Sequence, residues 1–170
     1  MFFNFALPLF PAFLKMDLSD APALIAAFAL DPRAGVMVAF VKNAINLTHT
    51  ATGGIGELAN FSIGLAFVLP AGFLYRREKT LRRAISAMGV GVLTMTAAAA
   101  VANYFVLLPL YSRFFPLDAI IDMYRAVNPY ANTLWKVVLM SIVPFNLIKG
   151  FFVSLLTFGL YKRLGPFVKG

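Results

Sequence analysis

Residues 137–161, VVLMSIVPFNLIKGFFVSLLTFGLY, decide the fold class. A helix needs about 20 apolar residues to cross the hydrocarbon of a bilayer, and this run is long enough. Its one charged residue is Lys149, near the middle. In lipid such a run has to be helical, because no water is present to bond exposed N–H and C=O groups. Two more runs of the same kind precede it, at residues 57–75 and 84–111. Composition agrees: 61% of the 170 residues are hydrophobic, 18 are phenylalanine and only 13% are charged, outside the usual range of soluble domains. The chain therefore reads as an all-α, multi-pass integral membrane protein, a single domain over residues 1–170.

Two further apolar regions complete the helix count. Residues 21–47 are interrupted by Asp31-Pro32-Arg33-Ala34-Gly35, where proline and glycine break a helix and the charges favour water, so this region reads as two shorter helices joined by a tight turn. Residues 1–14 are apolar but short for a span, either a helix lacking its beginning or a stub. Counting that run gives a bundle of six transmembrane helices. The loops at residues 31–35 and 76–83, with the tail from Lys162, then share one side and hold nine of the fifteen basic residues. That side is cytoplasmic by the positive-inside rule, and both termini lie there. The opposite side receives residues 15–20, 48–56 and 112–136, among them a short solvated helix bearing Asp118, Asp122 and Arg125. The N-terminal run lacks the basic flank and small-residue cleavage site of a signal peptide.

Several function classes are excluded or disfavoured. With no cysteine and a lone histidine, His49, thiolate sites are impossible and a histidine-rich metal site is not expected. No phosphate loop or hydrolase motif is present, which speaks against an enzyme. The net charge of +8 is concentrated in the cytoplasmic loops, a membrane-protein pattern rather than a nucleic-acid surface.

The polar residues inside apolar runs are the candidates for function. Asn146 and Lys149, three residues apart, share a helical face, and a lysine at such depth costs a few kcal/mol unless it has a partner or a task, roughly 2.5–3.5 by insertion scales. Pro144 frees a backbone carbonyl one turn earlier. Asn103 follows a small-residue run, where helices approach closely. Glu57 and Asn60 open the helix after Gly53-Gly54; Glu57 suits the positive end of the helix dipole. Asp17, Ser19 or Asp20 is placed to cap the next helix, whose Pro22 suits a first turn. Lys42 and Asn43 read as a pair at a helix end, the lysine snorkelling outward with no assigned chemistry.

FPAFLKMDLSD at residues 10–20, APALIA at 21–26, GELANF at 56–61 and PFNLIKG at 144–150 together resemble the riboflavin-specific substrate-binding (S) component of prokaryotic energy-coupling factor (ECF) transporters. That resemblance implies a cell-membrane protein of six helices that captures riboflavin from outside. Its partners would be a transmembrane coupling protein and two ABC-type ATPases that supply the energy, with riboflavin as cargo and no resident cofactor or metal. It also implies that Asn146 and Lys149 bond the vitamin, with Asn103 contributing. The first outer loop would fold over the ligand, leaving open whether Lys15 or Asp17 faces it, and Glu57 or Asn60 would serve the ribityl chain. The family's A-x-x-x-A docking pattern is absent before Asp17 but present as Ala23 and Ala27 on the following helix. Alternatives are an S component for another vitamin and a membrane subunit with no transport role; Lys149 disfavours a cationic ligand such as thiamin.

Overall fold

The computed structural model describes residues 4–6, 15–48, 50, 53–113 and 116–168, with side chains described within residues 16–161. Two three-residue strands come first, β1 (Asn4–Ala6) and β2 (Lys15–Asp17), paired antiparallel with Phe5 opposite Met16. Helices α1 (Asp20–Ala29), α2 (Pro32–Leu47) and α3 (Ile55–Arg77) follow. Helix α4 (Leu81–Ala102) runs through a π turn (Asn103–Leu107) into α5 (Leu108–Tyr111). A short helix α6 (Leu117–Arg125) leads to α7 (Leu134–Val137), a second π turn (Val138–Ile142) and the long α8 (Val143–Val168).

Among the described residues three helical stretches are long and apolar enough to cross a membrane: Ile55–Arg77, Leu81–Tyr111 and Leu134–Tyr161. These are the three runs expected from sequence. The paired short helices also appear, as α1 and α2. Their turn forms because Asp31 caps α2, accepting a hydrogen bond from Arg33 N at 2.9 Å, while Pro32 occupies the first helical turn. The start of the chain differs from expectation. Asn4–Ala6 is a strand rather than part of a helix, and the rest of that run lies outside the described residues. A fourteen-residue helix would span only about 21 Å, whereas pairing with β2 bonds the backbone of both segments.

Three prolines shape the spanning helices, each by withholding an N–H from the carbonyl four residues earlier. Pro70 lies inside α3, and the carbonyl it leaves, that of Ala66, accepts a hydrogen bond from Thr94 Oγ1 of α4 at 2.6 Å. Pro109 and Pro144 each stand two residues after a π turn. The wider turn absorbs the missing bond.

Helix α1 is the hub of the packing. It lies against α2, α3 and α8, while α3 packs on α4 and α4 on α8. Its buried face, Ala21, Ala23, Leu24, Ala27 and Phe28, is mostly small, which lets neighbouring backbones come close. Gly35 of α2 completes this approach: a Cβ there would lie 2.7 Å from Ala27 Cβ and 2.6 Å from Val68 Cγ1. At the far end of α1, Phe28 stacks on Tyr75 with ring centroids 4.4 Å apart, and Tyr161 meets both rings edge-on. Helix α6 is amphipathic as anticipated for a surface helix, burying Ile120, Ile121 and Tyr124 and exposing Asp118, Asp122 and Arg125. Burial pushes the Tyr124 phenol above its ordinary pKa, so it stays protonated at neutral pH.

Candidate ligand-binding site

The N-terminal end of α1 gathers four charges. Asp17 ends β2, and its carboxylate accepts hydrogen bonds from Ser19 N at 2.9 Å and Ser19 Oγ at 2.7 Å, a local turn that leads the chain into α1. Asp20 is the first residue of α1 and is 1% exposed. Its Oδ2 lies 2.8 Å from Lys149 Nζ of α8, and its Oδ1 accepts a short hydrogen bond from Lys42 Nζ of α2. Lys42 Nζ in turn lies 3.7 Å from Asp17 Oδ2. Two carboxylates and two ammonium groups thus form one cluster of zero net charge that joins β2, α1, α2 and α8. Removing any one member would leave an uncompensated buried charge, which is far more costly than the intact set.

Three buried or half-buried amides lie on the same helices or on α3. Asn146 sits one helical turn before Lys149 and is 7% exposed; its Nδ2 donates to Ile142 O at 2.8 Å, where the second π turn ends. Asn43, beside Lys42 on α2, donates to Ala39 O at 2.8 Å and accepts from Asn60 Nδ2 of α3 at 3.2 Å. Asparagines 43 and 146 therefore each commit one N–H to their own helix. The remaining N–H of Asn146 and its carbonyl oxygen can serve a ligand. Such an array of donors and acceptors with no net charge suits an uncharged, polar, heterocyclic molecule better than an ion.

The predicted residues divide as follows. Lys149 and Asp17 enter the ion cluster, Asn146 lies one turn before Lys149 on α8, and Asn60 bonds Asn43 of α2. Asn103 opens the first π turn and donates to Ala99 O at 2.8 Å, folding back on its own helix. Glu57 Oε2 accepts from Thr50 Oγ1 at 2.8 Å, and Thr50 Oγ1 accepts from Gly54 N at 3.0 Å, so this acid organises the turn into α3, where Gly54 has φ 92°. Lys15 belongs to β2 by its backbone, and its side chain lies outside those described. The expectation that Lys42 snorkels outward is corrected: two acidic partners hold it inward. Asp20 is likewise more than a cap, and Ser19 at the N-cap makes no side-chain capping bond.

Over residues 1–161 the sequence matches the family described as "ECF transporter, substrate-specific component". The chain belongs to that family. It is 37% identical over 168 residues to the riboflavin transporter RibU of Staphylococcus aureus (strain TCH60), covering 99% of this chain and 84% of that protein. It is 31% identical to the riboflavin transporter FmnP of Bacillus subtilis (strain 168), over 99% of this chain and 86% of that one. A solved structure described as the S component of a bacterial ECF transporter superposes with a TM-score of 0.76 at 34% identity, covering 98% of this chain and 87% of the other. As an S component the chain is a membrane protein, in keeping with its three membrane-length helices. What sequence reasoning missed in this S component is Lys42, Asn43 and the pairing role of Asp20. The available signal was charge balance: one buried lysine in α8 demands a buried acid, and Asp20 is one of only seven acidic residues in the chain.

Proposed function

We propose that this S component binds riboflavin in the membrane and delivers it for uptake through an ATP-driven ECF transporter. The observation that carries the reading is the net-neutral cluster of Asp17, Asp20, Lys42 and Lys149, with Asn146 one turn away, buried in a chain whose full-length relatives are named riboflavin transporters. Riboflavin is uncharged, and its ring system offers carbonyl and ring-nitrogen acceptors beside an imide N–H. Lys149 Nζ and the Asn146 amide supply donors and an acceptor for that edge, while Asn60, Glu57, Asn103, Lys15 and Asp17 are candidates for the ribityl chain and the closing loop. The partners that go with this function are a transmembrane coupling protein and two ABC-type ATPases. The chain itself catalyses no reaction and needs no cofactor, since the family's members select substrate.

The purified protein in detergent should carry yellow colour with flavin absorbance, or quench the fluorescence of added riboflavin in a saturable way. A colourless preparation that fails to quench overturns the reading. In reconstituted vesicles, uptake is expected only when the coupling protein, the ATPases and ATP are present.

A further inference from the structure

We propose that Asp20 is the positioning residue of the site: it fixes Lys149 Nζ in place for the ligand and separates it from Lys42, the second ammonium it holds. The inference rests on the riboflavin reading above and deepens it by assigning the residue that orders the donors. Three observations carry it. First, the carboxylate is divided between helices, Oδ1 to Lys42 of α2 and Oδ2 to Lys149 of α8, so its position sets the spacing of two like charges that would otherwise repel. Second, the carboxylate is walled in. Asp20 is 1% exposed, Ala21, Ala23 and Leu24 after it are buried, and a Cβ built at Gly64 of α3 would lie 3.4 Å from Oδ1. A carboxylate so buried meets its two ammonium partners rather than bulk water.

Third, the two carboxylates of the cluster are not equivalent. Asp17 is already engaged by Ser19 N and Ser19 Oγ and stands 3.7 Å from Lys42, so it balances charge from the rim. Among the described residues Asp20 alone contacts Lys149 by ion pairing, at 2.8 Å. An ammonium has three N–H donors, and one carboxylate oxygen engages only one direction, leaving Lys149 with donors to spend on a carbonyl. Without Asp20 the buried Lys149 ammonium loses its ion-pair partner; with it, the donors are preorganised and the ordering cost is met on folding rather than on binding.

The experiment uses the full chain in detergent with riboflavin as probe, and reads affinity, thermal stability and the carbonyl stretching bands of the bound flavin by Raman spectroscopy. The variants are Asp20→Asn, Lys149→Ala and the double Asp20→Asn/Lys42→Met, which restores zero net charge. The expectation is that Asp20→Asn weakens binding about tenfold or more and moves the carbonyl bands toward those seen with Lys149→Ala. The double variant should regain thermal stability, since no net charge is buried, yet regain neither the affinity nor the wild-type bands. The proposal is overturned if Asp20→Asn binds within about twofold of wild type with unshifted bands. It is equally overturned if the double variant recovers affinity and bands together, which would make Asp20 a charge balancer only. Wild-type protein that binds no riboflavin would overturn the functional reading itself, and this inference with it.

Discussion

The two ends of α1 solve the same packing problem with opposite chemistry. Each end ties α1 to α8 and to one further helix. At the N-terminal end the ties are ionic, Asp20 to Lys149 and Lys42; at the C-terminal end they are aromatic, Phe28 against Tyr75 of α3 and Tyr161 of α8, with the two tyrosine hydroxyls 3.0 Å apart. Rings packed on rings bury apolar surface and the two hydroxyls pair with each other, so few bonding directions are left for a ligand. A charge cluster satisfies net charge but leaves donors and acceptors over, because each ammonium and amide has more bonding directions than its partners use. One end of the hub is therefore largely self-contained, and the other, on the function proposed above, is the end that accepts a guest.

The largest expected effect breaks the self-contained end. Phe28 is almost fully buried between two tyrosines, and Phe28→Ala removes the ring that both of them contact. Thermal or denaturant unfolding in detergent should show a loss of roughly 3–5 kcal/mol. The protein that remains folded should bind riboflavin with near-unchanged affinity; a parallel loss of affinity would mean that the two ends are coupled. Breaking the open end gives the converse. Lys149→Ala should reduce affinity by about 1.5–3 kcal/mol, some 10- to 150-fold, as read by fluorescence quenching. Unchanged affinity would remove Lys149 from the site.

How much of this contrast was legible in the sequence follows from what periodicity encodes. The three long apolar runs and the Asp31–Gly35 break are local signals, and helices appear where they point. Asn146 and Lys149 were visible for the same reason, as polar exceptions in an apolar run. The partner of Lys149 was not, because charge balance calls for some buried acid but no local pattern in either segment joins residue 20 to residue 149. Lys42 illustrates the failure well: at the end of a helix a snorkelling lysine and an inward-paired one have the same local sequence, and only the neighbouring helix decides between them. The strand at Asn4–Ala6 was hidden for a related reason, since a short apolar run carries no period that separates strand from helix.

The smallest effect sharpens what holds the aromatic end. Tyr161→Phe keeps the ring that meets Phe28 and Tyr75 edge-on but removes the hydroxyl that pairs with Tyr75. If ring packing dominates, the loss is that of one neutral hydrogen bond, about 0.5–1.5 kcal/mol in unfolding free energy, and Tyr75→Phe should cost about the same. Removing both hydroxyls together should then cost scarcely more than removing one, because the second deletion also removes the buried group that the first had left unpaired. Additive losses would instead show that each hydroxyl has a separate partner, and the aromatic end would no longer count as self-contained. Riboflavin affinity is expected to stay at the wild-type value in all three variants, since the hydroxyl pair sits at the opposite end of α1 from the charges proposed to meet the ligand.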